Sequence, residues 1–181
     1  AEALADYKRL YAKASAPAVR QTALLGAVRS AAKLNDPIEV INQANTLLEG
    51  SKLSPDVETE TRYLRAKAYL AENATDRARA DLQQLATDTR TTQGAEAKYL
   101  LAQQLYDQGN YAQAEKVLLD FIDQSTPHAY WLARGFVLLS DVYAKTDKKL
   151  EAREYLLSLQ QNYQADDDIQ EMINSRLEQL K

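Results

Sequence analysis

Residues Ala95 to Pro127, AEAKYLLAQQLYDQGNYAQAEKVLLDFIDQSTP, set the architecture of the chain. Their apolar side chains recur at spacings of three and four on both sides of Gly109-Asn110, the pattern of two amphipathic helices joined by a tight turn. Sliding Tyr63-Leu64-Arg65-Ala66 onto Tyr99-Leu100-Leu101-Ala102 aligns the adjoining residues without a gap. Ala78 falls on Ala114, Leu82 on Leu118 and Leu85 on Phe121, an offset of 36 (114 − 78). Carried forward, the same small residue is Ala152, 38 beyond Ala114 (152 − 114), followed by Leu156 and Leu159. Carried backward it is Val40, 38 before Ala78 (78 − 40), followed by Ala44 and Leu47. Copies of one helix-turn-helix unit at about 18–50, 55–89, 94–124 and 127–163 thus cover most of the chain.

Composition agrees. With 5 Gly and 4 Pro in 181 residues there is little punctuation for a many-stranded fold, while Ala, Leu, Gln, Glu, Lys and Arg abound and favour helix. The prolines stand where helices begin: Ala16-Pro17, Asp36-Pro37, Ser54-Pro55 and Thr126-Pro127 place Pro at or near the first helical position. Asp36 and Glu39 have capping-box spacing. Softer breaks fall at Asn73-Ala74-Thr75, Thr91-Thr92-Gln93-Gly94, Gly109-Asn110, Thr146-Asp147 and Ala165-Asp166. The pattern predicts an all-α chain with helices near 2–14, 18–34, 37–50, 55–72, 75–89, 94–107, 111–124, 127–145, 148–163 and 167–180.

The unit resembles the tetratricopeptide repeat (TPR) family. In the copy quoted above, Leu101 and Ala102 match the leucine and small-residue sites of the first helix, and Gly109 with Tyr111 the turn. Ala114 matches the small site where the helices cross, Leu118 and Phe121 the large apolar sites, and Pro127 lies one place past the terminal proline. Lys98 departs from the usual large aromatic, and the offsets exceed the ~34-residue norm. Longer first helices entered at Pro55 and Pro127 absorb the extra residues. The resemblance implies a right-handed α-solenoid of about four helix pairs in one domain spanning 1–181, with Tyr69 and Tyr143 at its buried aromatic site. Ala66, Ala78, Ala102, Ala114, Ser140 and Ala152 are small where paired helices approach to about 8–10 Å.

At the ends, Leu4, Tyr7, Leu10 and Tyr11 give residues 2–14 one apolar face, as in the second helix of a repeat whose first is missing. The expectation is an uncovered face, open to self-association, on the C-terminal part of a longer array. Ile169, Met172, Ile173, Leu177 and Leu180 form one stripe of a C-terminal capping helix, 167–180. The style of GNYAQAEKVLLDFI and of the acidic DDDI helix is similar to TPR proteins of the bacterial cell envelope, so a periplasmic or envelope location is favoured over the cytoplasm.

A formal charge of −4 argues against nucleic acid as the main ligand, because phosphate contacts need clustered Lys and Arg. No apolar run approaches the ~20 residues a membrane span needs. Without Cys and with His128 as its one imidazole, the chain has no material for thiolate or multi-histidine metal sites. Asp166-Asp167-Asp168 lack the turn glycine and ligating Glu of a calcium loop and read as a helix start. Asn73-Ala74-Thr75 has the form of a glycosylation acceptor and reads as a turn plus helix start. No phosphate loop or nucleophile elbow is present, so the chain reads as a non-enzyme with no cofactor.

In TPR-like proteins the first helices line the concave face. By aligned position that face carries Glu60, Tyr63, Lys67 and Leu70 in the second copy and Glu96, Tyr99, Gln103, Tyr106 and Asp107 in the third. Arg134, Val137, Asp141 and Lys145 are their counterparts in the fourth. For Tyr63, Tyr99 and Tyr106, groove and packing are both open readings. The expected function is a non-catalytic scaffold that binds a protein or peptide segment along Tyr63, Lys67, Tyr99, Gln103, Tyr106, Asp107, Arg134 and Asp141. The alternatives are a structural spacer or oligomerisation module, and a glycan- or lipid-binding groove.

Overall fold

The computed structural model describes residues 1–50 and 52–180. Among these it contains ten α-helices and no strand: α1 (Glu2–Lys13), α2 (Pro17–Lys33), α3 (Pro37–Gly50), α4 (Pro55–Ala71), α5 (Thr75–Leu85), α6 (Thr92–Asp107), α7 (Tyr111–Asp123), α8 (Ala129–Lys145), α9 (Lys149–Asn162) and α10 (Ile169–Gln179). They form two compact units, Ala1–Leu85 and Ala86–Lys181. Within each unit every helix packs on its neighbour in sequence. In the first, α2 also lies against α4; in the second, α8 is flanked by α6 and α10.

Four turns repeat one backbone device. Asn35 (φ 52°), Asn73 (φ 57°), Gly109 (φ 74°) and Asp147 (φ 60°) all take the left-handed conformation just after a helix, spaced 38, 36 and 38 apart (73 − 35, 109 − 73, 147 − 109). These are the residue types that enter that region most readily. The next N–H in each case folds back to satisfy a free carbonyl of the last helical turn: Asp36 to Ala31, Ala74 to Tyr69, Asn110 to Leu105 and Lys148 to Tyr143, at 2.8–3.1 Å. The turn spacing reproduces the offsets of the sequence copies, so backbone and side-chain pattern share one period.

Helix entries depend on side-chain chemistry. Pro17, Pro37 and Pro55 are first helical residues. The Glu39 N–H donates to Asp36 Oδ1 at 3.0 Å, but the other half of the capping box is absent: the Glu39 carboxylate instead accepts from Gln43 and pairs with Lys8 at 2.7 Å. Pro127 does not open its helix; α8 begins at Ala129 after His128. The Thr126 hydroxyl donates to the Thr89 carbonyl at 2.6 Å and accepts the His128 N–H, which holds 126–128 outside the helix. Gly94 is no break either, because Thr91 Oγ1 caps α6 by accepting the Gly94 N–H at 3.0 Å and starts the helix two residues earlier. Helix α5 stops at Leu85, short of the expected 89. Beyond it Asp88 takes the backbone N–H and guanidinium of Arg90, and its carbonyl accepts from the Thr91 hydroxyl, local bonds that compete with helix.

Small residues occupy the helix crossings. Ala66, Ala78, Ala102, Ala114 and Ala152 are fully buried, and Ser140 donates to the Val137 carbonyl at 2.7 Å. Around them the second unit packs Leu118, Phe121, Leu138, Leu139 and Val142, while Leu156, Leu159, Ile169 and Ile173 seat α10. Tyr69 and Tyr143 are buried. The apolar side of α1 is half-covered, with none of its residues fully buried: Leu4 and Tyr11 pack on the clusters around Val28 and Leu24, and Tyr7 lies over Gly26, where a Cβ would run into its ring. Leu10 stays outside that contact and exposed.

Candidate interaction surface

The second unit brings α6, α8 and α10 side by side, and most of the expected third- and fourth-copy residues meet along this layer. On α6 the row has a four-residue pitch: Tyr99 Oη donates to Gln103 Oε1 at 3.0 Å, and Gln103 Nε2 donates to Asp107 Oδ1 at 2.9 Å. From α8, the Arg134 guanidinium donates to Tyr99 Oη at 3.2 Å and to Tyr130 Oη at 2.9 Å. It lies 5.0 Å from the centre of the Tyr99 ring and 5.7 Å from that of Tyr130, within cation–π range. Burial works against the charge of Arg134, but hydrogen bonds to both phenols outweigh it and raise the pKa. Its Nε is nonetheless buried without a partner. Trp131 adds a third ring, 5.7 Å from Tyr99 and 5.2 Å from Tyr130. Asp168 approaches Arg134 at 3.6 Å, while Asp167 takes the role expected of the acidic run by accepting the Ile169 N–H at 3.0 Å.

Farther along the same layer, Asp141 is held by Arg176 of α10 through bonds of 2.8, 3.0 and 2.9 Å. Burial raises the Asp141 pKa and Arg176 opposes it. Beside this pair Tyr106, Lys145 and Lys149 line a cavity of about 240 Å³. Burial, then the Asp141 charge, raises the Tyr106 pKa and keeps its hydroxyl protonated.

In the first unit, Tyr63 and Lys67 share a face of α4, with the ammonium 6.0 Å from the ring centre. They border an apolar cavity of about 300 Å³ whose walls include Ala32, Val40, Leu64 and Ala68. Glu60 is bound by Arg29 of α2 through two contacts of 2.6 Å, and that hydrogen bonding lowers its pKa.

Three of the aligned positions are interior. Tyr99 is 6% exposed and belongs to the core with Ala95 and Ala102, so packing takes its ring and leaves its hydroxyl to the polar row. Val137 and Glu96 are buried as well. Tyr130, Trp131, Lys149 and Arg176 complete the surface, and the repeat alignment does not point to them. Trp131 carried a usable signal as the one tryptophan of the chain. Arg176 carried none, since only the seating of α10 sets it against Asp141. His128 bridges the Arg90 carbonyl (2.9 Å) and the Thr92 hydroxyl (3.3 Å), the work of a partly packed side chain that ties the α8 entry to the segment before α6. Comparison with known proteins returns no match to any family model, curated protein or solved structure.

Proposed function

We propose that the helix pairs are TPR-like repeats of a right-handed solenoid, and that the protein works as a non-catalytic scaffold binding a partner polypeptide segment on its first helices. The observation that carries this reading is the α6, α8, α10 layer, where aromatic rings, a fork-shaped guanidinium and amide and carboxylate groups adjoin on rigid helices. Tyr, Trp and Arg concentrate binding energy at protein interfaces because they join large contact area to polar specificity. The common turn period and the fully buried small residues at the crossings support the repeat assignment. In the first unit, Tyr63 and Lys67 of α4 belong to the same reading.

A photo-crosslinking amino acid placed at Gln103 on α6, and separately at the 77% exposed Leu150 on α9, tests it in cells. Gln103 is expected to trap a discrete partner that Leu150 does not. Trapping from Leu150 alone, or from neither site, overturns the assignment of the surface.

A further inference from the structure

The cavity beside Asp141 has a charge pattern unlike the rest of its unit. From residue 86 on, the chain carries 10 basic and 15 acidic side chains, a balance of −5. The cavity wall nevertheless gathers Lys145, Lys149 and Arg176 against one carboxylate, Asp141. Arg176 is spent within the fold: its Nε and one terminal nitrogen hold Asp141, and the other donates to the Met172 carbonyl at 3.2 Å. Asp141 also feels the charge of Lys145, so the wall carries three cations against one carboxylate, a net charge of +2. Among the described residues neither lysine is in direct ion-pair contact with a carboxylate, Lys145 acting on Asp141 without a close contact. Lys148, between them in sequence, differs, being bound to Glu115 at 3.2 Å.

The neutral wall is also donor-rich. Tyr106 Oη has no hydrogen-bond acceptor among the described residues, and the raised pKa keeps its proton in place. Gln179 adds an amide, and Ala144 and Leu180 close the sides. Two ammonium groups, a phenol and an amide around about 240 Å³ match an oxyanion with several acceptor oxygens and up to two negative charges. A single carboxylate would leave half the charge unmatched.

We propose that this cavity is a binding site for a dianionic phosphoryl-type group, held by Lys145 and Lys149 with Tyr106 and Gln179 donating to its oxygens, against a wall fixed by the Arg176–Asp141 pair. The site joins α6, α8, α9 and α10, so occupancy stabilises the seating of α10. Tyr106 and Asp141 belong both to this site and to the scaffold surface, but titration with inorganic phosphate involves no polypeptide partner, so the two readings can fail separately.

The test is titration of the whole chain with inorganic phosphate at constant ionic strength, monitored by amide chemical shifts and thermal unfolding. Saturable shifts in α8 to α10 and a rise in Tm are expected. Lys145→Ala/Lys149→Ala should weaken binding at least tenfold, Tyr106→Phe several-fold, and Lys116→Ala on α7 not at all. Both cavity lysines are exposed, so the double variant keeps its helices, which circular dichroism checks. Sulfate should compete and acetate should not. Tighter saturation by O-phosphoserine than by glycerol 3-phosphate points to a modified side chain as the natural source, and the reverse order to a small metabolite or headgroup; either order supports the site. Absence of saturable binding, equal binding by the double variant, or competition by acetate as strong as by sulfate overturns it.

Discussion

Arg65 and Asp81 occupy positions where the next copies carry Leu101 with Val117 and Leu139 with Tyr155, at the same offsets of 36 and 38 (101 − 65, 139 − 101). Asp81 is 1% exposed and accepts from Arg65 at 2.8 Å twice and from Arg62 at 3.0 Å, while Arg65 also donates to Asn45. An ion pair thus stands where the sister copies carry apolar or aromatic side chains. Removing one member of such a pair strands the other charge, whereas replacing both with packed apolar residues costs little. Asp81→Ala is therefore expected to lose about 3–5 kcal/mol of stability, and Arg65→Leu/Asp81→Val less than half as much, measured by urea unfolding. Gly109, alone among the four turn residues in lacking a Cβ, has the largest φ, 74°. Gly109→Ala should cost about 1–2 kcal/mol in the same assay through left-handed backbone strain, with no clash involved because the site is open. These turns were legible in sequence at Asn73, Gly109 and Asp147 because breakers recur there at spacings of 36 and 38, the offsets of the repeat copies. The Arg65–Asp81 pair was not: the periodicity places both residues on the right faces but does not reveal that two helices bring opposite charges into contact.

Among the helices, existence was legible throughout, and ends were not wherever a side chain competes for the backbone. Thr91 and Thr126 illustrate both directions, one starting α6 early and the other delaying α8 past Pro127. The stripe of α10 was legible, and Ile169 and Ile173 are fully buried by it. Ile173→Ala is expected to cost about 2–5 kcal/mol and to release α10 first, visible as faster amide exchange in that helix than in α8. The α2–α4 contact includes Arg29–Glu60, whose hydrogen bonds lower the Glu60 pKa from its ordinary 4.5. A lowered carboxylate pKa adds stability that is complete above 4.5 and disappears as pH falls through the folded-state value. Both side chains keep solvent contact, so the pair is screened and Arg29→Ala should cost only about 0.2–1 kcal/mol at pH 7. At pH 2 the variant and the parent should unfold alike.

For the whole molecule, the repeat period recovered from side chains and from turn backbones is the same. Helical periodicity and small crossing residues carry that much because they arise from backbone geometry alone. Surface chemistry was legible only in part. Gln103, Tyr106, Asp107, Arg134 and Asp141 do lie along one layer, but the partner of Asp141 comes from α10, and the Tyr99 ring is claimed by the core. The scaffold reading turns on the first helices, not the second, carrying the binding surface. Amide shift mapping of the isotope-labelled protein, titrated with the partner segment trapped from Gln103, decides between them. Perturbations concentrated on α6, α8 and α10 and saturating together are predicted; perturbations confined to α7 and α9 would contradict the scaffold reading.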